Sequence, residues 1–194
     1  MNSRATPARD RLLQAAAELF YADGMAATGI DAIIARAGVA KMSLYNNFES
    51  KDALTAAYLD ARHEEWLALY RARLAQASGP TAAVLAVFDA YLDHAEAAYP
   101  HGFRGCGLLN AAAELPVGAP GREAVREHKA QIEGILAAHL RELTDADQAA
   151  RTAEHLSFLL EGSMSRAGLE ADPSRIQHAR VLAAELVDAL RERR

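Results

Sequence analysis

The sequence predicts an all-α fold of about nine helices, and three observations support this. Apolar residues recur at helical spacing along most of the chain. No run of four or more residues alternates β-branched or aromatic side chains as a strand does. Glycine and proline divide the 194 residues into segments of helix length, and 51% of the residues are hydrophobic, which is enough to bury a core.

The first predicted helix begins near Thr6 and ends at Gly24. Thr6 can cap the helix, and Pro7 suits the first helical position, where its missing amide hydrogen costs nothing. Glycine is the residue that most readily stops a helix.

The next two helices are short and follow one another closely. Thr28 precedes Asp31 by three residues, a spacing typical of a capping box, and Gly38 supplies the stop. A further helix of about two turns runs from Lys41 to Phe48. Ser50 then caps a fourth helix, and later breaks are predicted at 78–80, 99–102, 116–121, near 144 and at 172–173.

Two short helices joined by a tight turn at 38–40 have the form of a helix-turn-helix, whose second helix enters the major groove of DNA. Val39, Leu44 and Phe48 define the inner side of the third helix, so its outward residues are Lys41, Met42, Ser43 and Asn46. That set can address phosphates, base edges and thymine methyl groups. Periodicity alone leaves open a helical hairpin whose polar face is simply solvated.

Lys51 gives a second indication, because a cation in the first turn of a helix opposes the helix dipole. A DNA phosphate at that end would reverse the sign of the interaction. Thr28 can offer a similar contact at the start of the second helix, and the Tyr45 hydroxyl can offer another.

Residues 9–54 resemble the DNA-binding domain of the TetR family of bacterial transcriptional regulators. The matching residues are 11–20, Gly24, Thr28, Ile30, Ile34, 37–39, Leu44, Tyr45, Phe48, Ser50, Lys51 and Leu54. The resemblance implies a DNA-binding domain at 1–51 and a C-terminal regulatory, effector-binding and dimerisation domain at 52–194. It also implies a homodimer that binds a palindromic operator, usually as a repressor, and that a small-molecule effector releases.

The resemblance also assigns roles in DNA binding. Residues matching the family's phosphate contacts are Thr28, Lys41, Tyr45 and Lys51, and those matching its base-reading positions are Met42, Ser43 and Asn46. Departures from the family pattern at Gly29, Met42 and Asn47 bear on the operator sequence more than on the activity.

The last two helices carry the predicted dimer interface. The apolar stripe of the final helix is wider than one neighbouring helix requires, and small residues on the preceding helix allow close approach. The residues predicted to contact a second chain are Leu156, Leu159, Leu160, Ser163, Ala167, Ala179, Leu182, Ala183, Leu186 and Leu190. Intramolecular packing of both faces is the alternative.

The segment 105–116 resembles one that forms a short central helix beside the ligand cavity in a subgroup of the family. Asn110 and Glu114 are four residues apart on this helix, so they are predicted to face one direction within the interior. They either satisfy neighbouring polar groups or contact a ligand. The other candidate wall residues are Trp66, Tyr70, Phe88, Tyr91, Phe103, Cys106, Phe158 and Met164.

Charge and composition bear on which classes of function the chain can have. A formal net charge of −5 favours, as an alternative, a helical protein-interaction module without DNA binding, although residues 1–51 carry six basic and five acidic side chains. A single cysteine and the histidine spacing predict no metal site, no cofactor and no enzymatic nucleophile. No signal-like or membrane-spanning run is evident, so a cytoplasmic location is expected.

Overall fold

The structure is a computed structural model that describes residues 6–97 and 102–192. Within these residues it contains nine α-helices and no strand, which confirms the predicted fold class. The helices are α1 (Ala8–Asp23), α2 (Ile30–Ala37), α3 (Lys41–Asn47), α4 (Lys51–Leu74), α5 (Pro80–Glu96), α6 (Gly107–Glu114), α7 (Pro120–Leu140), α8 (Ala146–Glu170) and α9 (Ser174–Glu192).

The ends of α1 follow the sequence signals to within a residue. Pro7 flanks the helix as its N-cap residue and no side chain caps this end, so the predicted capping by Thr6 is wrong. The carbonyl of Pro7 nevertheless accepts the first helical hydrogen bond, from the Arg11 amide at 3.1 Å. Gly24 ends the helix as predicted, with a φ of 91° that disfavours any residue with a β-carbon.

The start of α2 differs from its prediction. Gly29 is the N-cap residue and no side chain caps the helix, so the predicted capping box is wrong. The physical reason is that the Thr28 hydroxyl donates backwards, to the carbonyl oxygen of Gly24 at 2.6 Å. Gly38 ends α2 in the left-handed conformation with a φ of 62°, as predicted.

The later helix boundaries mostly follow the predicted breaks. The Ser50 hydroxyl accepts a hydrogen bond from the Ala53 amide at 3.0 Å, which confirms it as the cap of α4. The break near 144 also exists, but the capping side chain is Asp145, whose carboxylate accepts from the Gln148 amide at 2.9 Å. The predicted break at 99–102 lies largely outside the described residues.

The chain divides into two compact units. Of the described residues, unit 1 combines those up to Arg62 with Gly107–Val125, and unit 2 combines those between His63 and Cys106 with those from Arg126 onwards. In unit 1, α2 and α3 pack on α1, and α6 also contacts α1. The core of unit 1 contains Leu12, Phe20, Ile33, Leu44 and Leu54.

Unit 2 is built around α5, α8 and α9, with α9 packed against both of the others. Its most deeply buried side chains include Phe88, Tyr91, Leu136, Leu156 and Met164. Among the described residues, no helix combines the length and the apolar character needed to cross a membrane.

Candidate functional site

One exposed surface of unit 1 carries most of the predicted DNA contacts. Leu44 and Phe48 hold α3 on the core, whereas Met42 is 69% and Tyr45 is 47% exposed. Lys41 and Asn46 are exposed as well, and Ser43 is half-buried. We call Lys41, Met42, Ser43, Tyr45 and Asn46 the α3 outer face. It offers a cation, hydroxyl groups, an amide and a thioether, all outside the packed interior.

The turn between α2 and α3 is fixed from α1 by Arg11. The Nη1 atom of Arg11 donates to the carbonyl oxygens of Ala37 at 3.4 Å and Gly38 at 3.3 Å. These carbonyls lie at the C-terminal end of α2, where the helix dipole favours a cation. The sequence analysis missed this role of Arg11, because Arg11 lies on α1 and its two acceptors lie at the end of α2, 26 and 27 residues further along the chain.

Two ion pairs link the helices of unit 1. The Arg36 guanidinium contacts Glu18 (Nε to Oε2, 2.7 Å), and hydrogen bonds from Gln14 and Arg36 lower the pKa of Glu18. Lys41 on the α3 outer face contacts Asp31 at 3.2 Å, with both side chains more than half exposed. An exposed pair of this kind contributes about 0.2–1 kcal/mol, so Lys41 can exchange Asp31 for a phosphate at little cost.

The structure corrects the role of Thr28. Its side chain is buried, with 3% of the residue exposed, and its hydroxyl is engaged with the Gly24 carbonyl at the end of α1. A buried hydroxyl that already donates inward has no surface to offer a phosphate. Thr28 therefore stabilises the link between α1 and α2, and the predicted DNA contact is withdrawn.

Lys51 has an intramolecular partner that the sequence did not reveal. Its Nζ atom donates to the carbonyl oxygen of Met25, in the link between α1 and α2, at 2.6 Å. This carbonyl compensates in part for the unfavourable placement of a cation in the first turn of α4. Contact of the half-buried Lys51 with a phosphate stays a prediction.

The interior of unit 2 contains a cluster of polar side chains centred on Lys129. The Nζ atom of Lys129 lies 2.7 Å from Glu161 Oε1, 3.2 Å from the Tyr91 hydroxyl and 3.5 Å from Cys106 Sγ. The Lys129 side chain is 18% exposed. We call these four residues the Lys129 cluster. Cys106 therefore has a cationic neighbour, which α7 supplies.

Burial and charge shift the protonation equilibria of this cluster. Burial raises the pKa of Tyr91 well above its usual range. Burial alone would lower the pKa of Lys129, but Tyr91, Cys106 and the Glu161 carboxylate outweigh it and raise the pKa. The cluster therefore holds a charged ammonium inside unit 2 at neutral pH.

Aromatic side chains lie beside this cluster. Trp66 stacks on Tyr70 at 5.5 Å between ring centroids and packs against Tyr91 at the same distance. The Tyr70 hydroxyl is 2.7 Å from His139 Nε2. Among the described residues, the Trp66 Nε1 atom has no hydrogen-bond partner although the residue is 4% exposed, and Glu161 Oε2 also lacks one. Buried polar atoms without a partner are uncommon in folded proteins, and water, an ion or a ligand can satisfy them.

A histidine pair adjoins the same aromatic group. The Nδ1 atoms of His63 and His128 are 2.7 Å apart, so one ring donates and the other accepts. Burial, followed by the positive charge of Lys129 and the proximity of His63, lowers the pKa of His128 to about 3. His128 is therefore neutral under ordinary conditions.

Three predicted effector contacts lie elsewhere than predicted. Asn110 and Glu114 are exposed rather than interior, and the Glu114 carboxylate accepts hydrogen bonds from two backbone amides of unit 1. Phe158 is 64% exposed on α8, so it does not line an interior wall. The remaining candidates are buried in unit 2: Trp66, Tyr70, Phe88, Tyr91, Phe103, Cys106 and Met164.

Sequence reasoning missed Lys129, Glu161 and His128. The sequence does contain an indication that Lys129 is buried. Lys129 shares one face of its helix with the buried Val125, Ile132 and Leu136. A charge on such a face is costly without a buried partner, and that partner lies on a different helix, α8.

The predicted dimer residues divide into two groups. Leu156, Leu160, Ser163, Ala167, Ala179, Ala183 and Leu190 are already buried within unit 2, where α5, α8 and α9 pack on one another, and their contact with a second chain stays a prediction. Leu182 and Leu186 are 36% and 44% exposed, and Leu159 is half-buried.

Leu159 and Leu182 line a groove between α8 and α9. We call it the α8–α9 groove; it has a volume of about 280 Å³ and is lined by Phe158, Leu159, Gly162, Ser163, Arg166, Arg175, His178, Ala179 and Leu182. Within this lining Phe158 and Leu182 expose apolar surface. Exposed apolar surface rimmed by polar residues is typical of a protein interface.

A helix-turn-helix packed on a first helix, in a chain otherwise made of helices, defines a class of transcriptional regulators. Residues 12–58 match the family model described as bacterial regulatory proteins of the tetR family. A search of curated proteins gave no significant match.

Solved structures agree with the family model. A TetR-family transcriptional regulator from Streptomyces coelicolor is 33% identical, with a TM-score of 0.84, covering 96% of this chain and 95% of that one. A tetR regulator from Streptomyces avermitilis is 30% identical (TM-score 0.72; coverage 94% and 99%), and one from Chloroflexus aurantiacus is 27% identical (TM-score 0.78; coverage 93% and 94%). The chain belongs to the TetR family of bacterial transcriptional regulators, which are transcription factors and not enzymes.

Proposed function

We propose that this TetR-family regulator acts in the cytoplasm as a homodimeric repressor. Each chain would place α3 in the major groove at one half-site of a palindromic operator, with the two α3 helices about 34–36 Å apart. The α3 outer face is the observation that carries this proposal. Its polar side chains are exposed, although the adjacent Leu44 and Phe48 hold the helix rigidly on the core of unit 1.

The side chains of this interface fall into two groups, those that would contact phosphates and those that would contact bases. Lys41, Tyr45 and Lys51 would contact phosphates and set the register of the protein on DNA. Met42, Ser43 and Asn46 would face base edges, where an amide can pair with adenine and a thioether can pack on a thymine methyl group. Arg11 supports this arrangement without touching DNA, because it holds the turn that precedes α3.

The α8–α9 groove supports the dimer. Phe158, Leu159, Leu182 and Leu186 expose apolar surface on two long helices, and Gly162 lets another helix approach closely. A second copy of the chain offers the same surface, as a two-fold interface requires. The resulting four-helix contact would bury this surface from both chains.

The interior of unit 2 supports the effector site. Of the buried candidate wall residues, Tyr91 and Cys106 belong to the Lys129 cluster and Trp66 packs against Tyr91. Two polar atoms, Trp66 Nε1 and Glu161 Oε2, lack partners among the described residues. A small amphipathic molecule could use both groups. Release from the operator would follow if the effector binds more tightly to a dimer whose α3 spacing does not fit DNA.

A salt series of operator titrations tests the DNA-binding proposal. A duplex selected from genomic fragments should bind with an affinity that falls steeply as salt rises. Lys41→Ala and Tyr45→Ala should weaken binding to every duplex, and Lys41→Ala should lower the salt slope by about one. Asn46→Ala should instead change the preference among duplexes. The opposite pattern for these variants would refute the assigned roles, and a chain that selects no duplex would refute the proposal.

Intrinsic fluorescence tests the effector site, because Trp66 is the single tryptophan of the sequence. Compounds that dissociate the complex from DNA should also change Trp66 emission. Trp66→Phe should retain DNA binding and lose the emission, and it should weaken the effector's action by removing the Nε1 donor. Dissociation with no response at Trp66, and with unchanged effector potency in Trp66→Phe, would place the effector elsewhere.

A further inference from the structure

The link between α1 and α2 is held by a carboxylate from a distant part of the sequence. Glu114 is the last residue of α6, and its Oε1 atom accepts a hydrogen bond from the Met25 amide at 3.1 Å. Its Oε2 atom accepts one from the Ala26 amide at 2.7 Å. Two consecutive amides directed at one anion form a backbone nest, in which both oxygens of the carboxylate are used.

The neighbouring glycine shows that this contact requires close approach. Gly24 precedes the two amides and has a φ of 91°, a conformation that L-residues rarely adopt. A β-carbon at Gly24 would lie 2.8 Å from Glu114 Oε1. Both the backbone conformation and the space occupied by the carboxylate therefore favour glycine at this position.

The same link is also anchored from its other side. The Met25 carbonyl accepts from Lys51 Nζ at 2.6 Å, and the Gly24 carbonyl accepts from the Thr28 hydroxyl at 2.6 Å. The end of α6 is itself fixed, since Arg122 Nη1 donates to the Ala112 carbonyl at 2.8 Å. All of these groups belong to unit 1, and together they leave the link little freedom.

We infer that Glu114 is a positioning residue for DNA binding. This inference rests on the proposed function, because it assumes that α3 reads DNA. Helices as short as α2 and α3 have little stability of their own, so their placement depends on packing and on the segment that leads into them. Releasing the Met25 and Ala26 amides lowers the fraction of molecules in which α2 and α3 are arranged for the groove. The apparent dissociation constant rises by the inverse of that fraction.

Two charge-matched variants test the inference in the full-length protein. Glu114→Gln replaces one of the two accepting oxygens with an NH2 group that can only donate, so one of the two amides loses its present acceptor. Glu49→Gln removes the same charge from an exposed position just after α3. Electrostatics alone predicts that both changes tighten binding to DNA. Positioning predicts that Glu114→Gln raises the dissociation constant about tenfold, whereas Glu49→Gln leaves it unchanged or lower.

The salt slope separates positioning from a phosphate contact. Glu114→Gln should keep the wild-type slope, because no cation is removed from the interface. Amide hydrogen exchange should accelerate at Met25 and Ala26, which reports on the contact without DNA. Gly24→Ala places a β-carbon where the Glu114 carboxylate lies, and it should weaken binding to DNA as well. The effects of Gly24→Ala and Glu114→Gln combined should be less than additive.

The outcomes distinguish this inference from the proposed function. Equal or tighter binding by Glu114→Gln, with unchanged exchange at Met25 and Ala26, would overturn the positioning role while DNA binding by the wild type stands. A wild-type chain that binds no selected duplex would overturn both. Weaker binding with an unchanged salt slope and faster exchange would support the inference.

Discussion

The two units of this protein distribute polar and apolar side chains in opposite ways. Unit 1 exposes the polar α3 outer face, and the hydroxyl-bearing side chains that it buries among the described residues include Thr28 and Tyr58. Unit 2 buries the Lys129 cluster and the His63–His128 pair, while Phe158 and its neighbours along the α8–α9 groove expose apolar surface.

This contrast indicates which kind of partner each region suits. Exposing a polar face to water carries no free-energy penalty in the isolated chain, and such a face suits a charged, hydrated ligand such as DNA. Exposed apolar surface and buried unpaired polar atoms both cost free energy in an isolated chain. A second subunit and a bound small molecule are the partners that would offset these costs in unit 2.

The largest expected effect comes from placing charge in the α8–α9 groove. Phe158→Glu combined with Leu182→Glu should give a monomer by light scattering. Affinity for a palindromic duplex should then fall about 100-fold or more, because the two half-sites are no longer bound together. Val181→Glu, at a residue on α9 that is 52% exposed and does not line the groove, is the matched control and should remain dimeric. A dimeric double variant with wild-type affinity would contradict the proposed interface.

A smaller effect is expected from the buried charge of unit 2. Lys129→Met leaves the Glu161 carboxylate without its cation, and we expect a loss of about 1–3 kcal/mol in the free energy of unfolding by urea. The loss should fall short of that for a fully buried pair, because the Glu161 side chain is 27% exposed. Adding Glu161→Leu should recover most of the stability. A double variant less stable than Lys129→Met would show that the pair is not the cause.

His128 should make unit 2 sensitive to acid. The unfolded chain takes up a proton on this histidine near its ordinary pKa of 6.5, whereas the folded chain does so near 3. The free energy of unfolding should therefore fall as pH drops through this window, by at most about 1.4 kcal/mol per pH unit from this group. His128→Gln keeps a hydrogen bond to His63 and should flatten the dependence. The exposed His155→Gln serves as control, and equal slopes in both variants would contradict the assignment.

The smallest effect tests the corrected role of Thr28. Thr28→Val removes one buried hydrogen bond to the Gly24 carbonyl and should cost about 1 kcal/mol of stability. Affinity for the operator should change little, since the hydroxyl faces the end of α1. Weaker binding to every duplex, with stability unchanged, would restore the phosphate contact predicted from the sequence.

Local signals predicted the helices well. Gly24, Gly38 and Ser50 act at the positions where the sequence places them, because backbone conformation and capping depend on residues only a few positions apart. Thr28 shows the limit of such signals. Its spacing to Asp31 fits a capping box, but a nearby carbonyl offered the hydroxyl a different acceptor.

The sequence by itself determined the helical class, the short helix pair near the N-terminus and the outward residues of α3, since these follow from periodicity along one or two helices. Only the tertiary structure decided which polar groups are paired. Glu114 with the Met25 amide, Lys129 with Glu161, and Arg11 with Gly38 join segments far apart in the chain. It also decided which parts of the wide apolar stripe of α9 remain exposed, because burial depends on all the helices packed around a residue, as the buried Ala183 and the exposed Leu186 illustrate.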